Sequence, residues 1–265
     1  MSDKIVAPTI GRCIYCGASG PDVALTDEHI IPFALNGSFV LKSASCPDCQ
    51  DTTKHIEQNV LRPMLGPTRV RANLRTRNKK DREKPFPIKM TTPDGETKVI
   101  DVPPADIPTY LFLPIFAPPG LLFNRGPEDE IPLNAFWYYS FDSDAHTKNQ
   151  KLASKLGKGQ ATYLHLRLDE FARMIVKIGY AYAVGAYTME GFLPLVTGII
   201  RKTQHDISTY VGTTPEIPAP DPNALHTIKT GWCEPPHQSL LRVRVCLFSN
   251  LGAPQYDVIV GRRTD

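Results

Sequence analysis

The stretch CIYCGASGPDVALTDEHIIPFALNGSFVLKSASCPDCQ, residues 13–50, decides how the first part of this chain folds. It opens on one Cys-x2-Cys pair, Cys13 and Cys16, and closes on another, Cys46 and Cys49, with 29 residues between them. Four thiolates satisfy the tetrahedral preference of zinc, and the two-residue spacing lets both sulfurs of a pair face one ion. Gly17 suits the tight turn after the first pair. A shell of four cysteines leaves no position open for water, so the expected Zn2+ is structural. Cys233 and Cys246 have no such spacing and read as core residues.

Around these pairs the pattern is that of a short β-hairpin followed by a helix. A strand-like run covers Ala24 to Ile31, Asn36-Gly37 marks a turn, and Phe39 to Leu41 forms a second apolar run. A helix is expected from Pro47 to Leu61, stopped by Pro63. Asp27, Glu28 and His29 stand together inside the otherwise apolar first run.

This combination, CIYCG, then LTDEHIIP, then ASCPDCQ and a helix, resembles the zinc-containing HNH endonucleases, or ββα-metal nucleases, over about residues 11–66. The chain as a whole is similar to bacterial proteins in which such a module precedes a long C-terminal region. The resemblance implies that His29 is the general base that takes a proton from water, and a histidine pKa of about 6.5 suits that task. It also implies that Glu28 holds a catalytic divalent ion, Mg2+ or Mn2+, with Asp27 able to substitute for it or orient it.

The family carries asparagine or histidine just after the last zinc cysteine, as the second protein ligand of that ion. Here the position is Gln50. Its amide oxygen also suits a hard cation, but the extra methylene displaces it. At about 100° per residue, Thr53, Lys54 and Glu57 share Gln50's helix face while His55 points away. Thr53 is expected to support the site, and Glu57 to pair with a nearby arginine. A second departure is the family's strand asparagine, whose place is taken here by Phe39-Val40-Leu41-Lys42; Asn36 lies in the turn.

The segment after the helix, RPMLGPTRVRANLRTRNKKDREK (62–84), has nine basic and two acidic residues and reads as a solvated basic arm or linker. Arg62, Arg69, Arg71, Arg75, Arg77, Lys79, Lys80, Arg82 and Lys84 would neutralise phosphates without reading sequence. Aromatic residues do not occur in the arm, so base stacking is not indicated. Residues 1–84 carry 13 Lys/Arg against 9 Asp/Glu, whereas residues 85–265 carry 17 against 18, so the basic surplus lies beside the cysteines.

Beyond the arm, 25 prolines across the chain, many of them between Pro103 and Pro127, favour short strands and turns. ATYLHLRL (161–168) alternates as a strand does, and Asp169 is placed to cap a helix reaching Tyr187 with Phe171, Ile175, Ile178 and Tyr182 on one face. LLRVRVCLF (240–248) and YDVIVG (256–261) flank a turn and predict two antiparallel strands. FDSDAH (141–146) lacks a full calcium-loop pattern and reads as a polar turn, and there is no phosphate-binding loop for ATP. The most apolar stretch, Phe171 to Ile200, is broken by Arg173, Lys177, Glu190 and Pro194, which fits a core helix better than a membrane span. The opening residues MSDKIVAPTIGRC have no apolar signal core, so a cytoplasmic, reducing location is expected.

The expected fold class is α+β: a zinc-stapled ββα-metal module (11–66), a basic arm (67–84) and a larger α+β domain (85–265). The expected activity is metal-dependent hydrolysis of DNA phosphodiester bonds by His29, Glu28 and Gln50, with RNA as another compatible substrate. The alternative is a zinc-containing nucleic-acid-binding protein whose cleavage is impaired by Gln50 and the lost strand asparagine. A protein partner bound through residues 85–265 remains compatible with the sequence, and no membrane partner is expected.

Overall fold

Strands β1 (Val6–Thr9), β2 (Thr26–His29) and β3 (Val40–Ser45) and helix α1 (Pro47–Leu61) build the N-terminal module. The computed structural model from which they are drawn describes residues 6–77, 85–91, 94–128, 130–156, 160–162 and 166–264. The expected hairpin is β2 paired antiparallel to β3, and β1 adds a third strand, parallel to β3, that the sequence pattern did not announce. The turn between β2 and β3 is a short 3-10 segment, Phe33–Leu35, ending on Asn36 in the left-handed conformation. Gly37 follows because a Cβ there would lie 1.8 Å from the Ile31 carbonyl oxygen.

Helix α1 begins where proline is tolerated, at a first-turn position after extended Cys46. Cys49, Thr53, Ile56 and Val60 are its buried residues before the final Leu61, and their spacing of four, three and four places them on one face.

The next segment corrects an expectation. Residues 66–71 form helix α2 (Gly66–Arg71), and Met64, Leu65 and Leu74 are buried, so this part of the basic segment is packed and not solvated. Its cations bond to the protein itself. Arg69 donates to the carbonyls of Ala34 and Leu61, Arg71 pairs with Asp142, and the Arg75 guanidinium lies 5.6 Å from the centre of the Phe33 ring. A charge count cannot separate such arginines from phosphate-seeking ones; Arg62 and Arg77 stay exposed. Lys79, Lys80, Arg82 and Lys84 lie outside the described residues.

Two small sheets follow. Strands β4 (Phe86–Thr91) and β5 (Thr97–Val102) pair antiparallel, as do β6 (Tyr110–Phe116) and β7 (Leu133–Ser140). Of the polar turn expected at 141–146, the last two residues already belong to α3 (Ala145–Leu156), and the turn is anchored by the buried carboxylate of Asp142, which accepts from the Thr109 amide and pairs with Lys148 and Arg71. Strand β8 (Gln160–Thr162) joins β4, but the strand expected over 161–168 ends early. Residues 163–165 lie outside the described ones, and α4 (Leu168–Tyr187) has already begun at Leu168. Arg167 is its N-cap; Asp169 sits inside the first turn with Glu170, where a negative charge favours the helix dipole.

Helix α4 organises the remainder. Beyond it come β9 (Leu193–Pro194), α5 (Thr197–Ile200), α6 (Ile207–Tyr210), β10 (Val211–Thr213), β11 (His226–Trp232), β12 (Leu240–Leu247) and β13 (Gln255–Arg262). The two C-terminal strands pair antiparallel as their alternation predicted, within a sheet ordered β10-β13-β12-β11 to which β9 attaches. Phe171, Ile175 and Ile178 are fully buried, and so is nearly every residue from Phe171 to Val184, because α4 is covered on opposite sides. A Cβ on Gly179 would approach Val258 at 3.2 Å, and one on Gly185 would approach Leu41 at 3.2 Å and Phe39 at 3.3 Å. The terminal sheet and the N-terminal module therefore pack against the same helix. Their apolar residues form one continuous core, from Ile14, Ile30, Leu41 and Ile56 to Phe171, Tyr180, Val243 and Tyr256.

Candidate functional site

At one end of α1 the four sequence-predicted cysteines meet. All four sulfurs lie within 4.8 Å of one another, and Cys16 and Cys46 are 3.6 Å apart. A tetrahedron with Zn–S bonds of about 2.3 Å has edges of about 3.8 Å, so the cluster fits zinc. The first pair is turned by backbone bonds from the Cys13 amide to the Ala18 carbonyl and from the Gly17 amide to the Cys13 carbonyl, with Gly17 at φ 79. The second pair is held by the start of α1, Cys46 as N-cap and Cys49 in the first turn. Burial, and then the neighbouring Cys13 charge, push the Cys49 thiol far above its usual range, which a bound dication would reverse.

Further along α1, a cleft of about 820 Å³ opens between β2 and the helix. Asp27, Glu28 and His29 line it from β2, and Gln50, Thr53, Lys54 and Glu57 from α1. Arg62, Arg69 and Arg77 also line it. The structure thus gathers His29, Glu28 and Gln50 into one cavity. His55 is elsewhere: it is exposed, and its Nδ1 lies 2.8 Å from the Asp51 carbonyl oxygen, as the helical geometry required. Asn36 accepts the Arg75 amide at 2.8 Å.

Neighbouring carboxylates have opposite environments because successive strand residues face opposite ways. Asp27 is exposed and pairs with Lys42 at 2.5 Å, and its other oxygen accepts the Ser43 amide at 3.3 Å where β3 bulges. Glu28 points inward and is 5% exposed. The His29 and Phe33 rings form a T-shaped pair, with centroids 6.0 Å apart. On α1, the Thr53 hydroxyl donates to the Gln50 carbonyl at 3.1 Å, tying the two positions together.

Sequence reasoning missed the residue that organises this interior. Lys177, from α4, is fully buried, with its ammonium 2.5 Å from Glu28 Oε1 and 2.9 Å from Glu57 Oε1. It also donates to the backbone carbonyl of His29. Glu57 therefore pairs with a lysine from the far part of the chain, not with an arginine. Burial pushes the Glu28 carboxyl up; Lys177 draws it back and Glu57 pushes it up again, leaving it above the usual carboxylate range. For Lys177, burial acts to lower the ammonium, but Glu28 and Glu57 outweigh it and hold the group well above its ordinary value. The lysine stays charged. Its signal in the sequence was a cation in the apolar run FARMIVKIGYAYAV, residues 171–184, where burial without a partner is costly.

Among the described residues no helix is long and apolar enough to cross a membrane. Comparison with curated proteins and with solved structures gave no match for the chain. Residues 13–64, which span the cysteine cluster, both strands of the hairpin and α1, match the family model of the HNH endonucleases. The N-terminal module of this chain is an HNH endonuclease domain with a four-cysteine cluster that fits zinc.

Proposed function

We propose that the chain is an endonuclease that hydrolyses DNA phosphodiester bonds, with His29 as general base. The observation that carries this reading is the meeting of His29, Glu28 and Gln50 in one cleft whose wall includes Arg62, Arg69 and Arg77. His29 takes the proton of a water molecule at the cleft, and the Phe33 ring packs against its imidazole in a T-shaped pair. The exposed arginines Arg62 and Arg77 attract the phosphate backbone, a sequence-independent attraction that weakens as salt rises. Glu28 and Gln50 are the groups suited to hold Mg2+ or Mn2+, oxygen donors for a hard cation. Such an ion, when bound, stabilises the charge that develops on the phosphorus centre and the leaving oxygen. Zinc at the four-cysteine cluster would serve as scaffold, beside Gln50 at the start of α1.

Purified chain should nick plasmid DNA with Mg2+ or Mn2+, and His29→Ala should abolish nicking without changing the melting temperature. Cleavage that survives that substitution removes His29 as the base.

A second reading has one observation in its favour: Glu28 Oε1 already holds Lys177. On that reading the protein binds nucleic acid without cutting it. Gln50→Asn distinguishes the two, since a gain of cleavage over wild type means a sound site with a displaced ligand.

A further inference from the structure

The Lys177 ammonium has three hydrogens to give. Its acceptors are Glu28 Oε1, Glu57 Oε1 and the His29 carbonyl, with the Ile30 carbonyl at 3.4 Å as a weaker fourth. They belong to different parts of the cleft. Glu28 is the proposed ion ligand, His29 the proposed base, and Glu57 stands about two turns along α1 from Gln50. The lysine is 148 residues from His29 in sequence and 120 from Glu57.

We propose that Lys177 is a positioning residue of the nuclease site, an inference that rests on the nuclease reading above. Strand β2 ends at His29, so the orientation of that last peptide decides where the imidazole points. A bond from the buried ammonium to the His29 carbonyl fixes the peptide plane. Glu28 and Glu57 repel one another, and the cation between them converts that repulsion into a clamp joining β2 to α1. A lysine fits this task because its compact charge serves acceptors converging from several directions, whereas the planar fork of arginine does not.

A merely structural lysine would alter stability alone, so the test reads the site directly. The full, zinc-loaded chain is prepared with Lys177→Met, with Lys177→Met plus Glu57→Gln, and with Lys177→Arg. The double variant removes one positive and one negative group, so the buried cluster keeps its net charge. In protein labelled with 13C-histidine, the His29 ring signal should move in all three variants while the other six histidines hold their positions. In plasmid nicking, kcat should fall about 100-fold in the Met variants with KM changed less than about threefold, the scale expected for a misplaced reacting group. Lys177→Arg should recover only part of kcat. A folded double variant with wild-type His29 signal and wild-type kcat overturns the proposal. If neither Met variant folds, Lys177→Arg decides by the same two readouts, and wild-type values for both overturn it. A wild-type chain that nicks no DNA sinks the nuclease reading instead, and the His29 signal, read without turnover, still judges Lys177.

Discussion

Two clusters join α1 to its neighbouring strands, one suited to a bound cation and the other closed around a cation of the chain itself, and they differ in kind. At the first turn, Cys46 and Cys49 meet the Cys13–Cys16 knuckle in a cluster built for zinc, every ligand coming from one short stretch. Farther along, Glu57 meets Glu28 across an ammonium supplied by α4. The first centre is local, and a zinc ion there would be held by coordinate bonds. The second is long-range, and its bonds are ion pairs that hold only while all three groups remain buried together. The module can thus be specified by its own sequence at one end, while at the end nearest His29 its geometry belongs to the rest of the chain.

The largest effect should come from breaking the first centre. Structural zinc contributes roughly 10–16 kcal/mol in small zinc modules, so Cys49→Ser or a strong chelator should remove one zinc per chain and unfold the region around β2, β3 and α1. Metal analysis with hydrogen exchange checks this. Amides of β3 and α1 should lose protection before those of β12 and β13, and unchanged protection after zinc loss would refute the scaffold role.

Breaking the second centre should cost less. Lys177→Met leaves two buried carboxylates without their cation, and breaking a buried pair typically destabilises by about 3–5 kcal/mol. Urea unfolding should show this loss, with part of it regained on adding Glu57→Gln. A larger loss in the double variant would mean that Glu57 stabilises the fold by another route.

A third tie sharpens the contrast, because it also joins the module to the C-terminal sheet but without charge. His226 Nδ1 accepts the Phe248 amide at 3.0 Å, so its Nε2 carries the hydrogen and donates to the Leu35 carbonyl at 2.7 Å. Burial lowers its pKa to about 4, against the opposing pull of the Leu35 carbonyl. Between about 6.5 and that value the unfolded chain binds a proton that the native state refuses. The contribution is therefore fully present above about pH 6.5 and is lost as pH falls toward 4. The loss should reach about 2 kcal/mol between pH 7 and pH 5, and His226→Gln should flatten that part of the urea-stability profile. An unaltered profile would assign the acid sensitivity to other groups. The smallest effect belongs to the outward pair of Asp27 and Lys42, whose side chains are 43% and 37% exposed. Asp27→Ala should shift stability by less than about 1 kcal/mol, the difference shrinking in high salt.

Legibility followed the same division. Cysteine spacing located one centre, and the boundaries of α1, Pro47 to Leu61, followed from the prolines that start and stop it. The terminal strands followed from their alternation. Strand β1 was hidden because four residues of parallel pairing leave little pattern. Residues 66–71 were misread because Arg69 and Arg71 look solvated when counted as charges, although their partners are carbonyls and a carboxylate distant in sequence. The expectation that His29, Glu28 and Gln50 belong together came from the resemblance, and the three do line one cleft. Lys177 and His226 were not, because each acquires its role only from groups that folding brings to it.

Gly185 lets α4 lie within van der Waals reach of Leu41 and Phe39, and eight residues earlier the same helix delivers its buried ammonium to β2. The consequence concerns heredity. A recombination event that copied residues 13–64 into another gene would transmit the cysteine cluster, the proposed base and the proposed ion ligands, yet leave behind the cation between Glu28 and Glu57 and the helix that covers β3. The recipient would have to supply both anew. For this chain the heritable unit of the cleft extends from Cys13 to at least Lys177, well beyond the segment that the family shares.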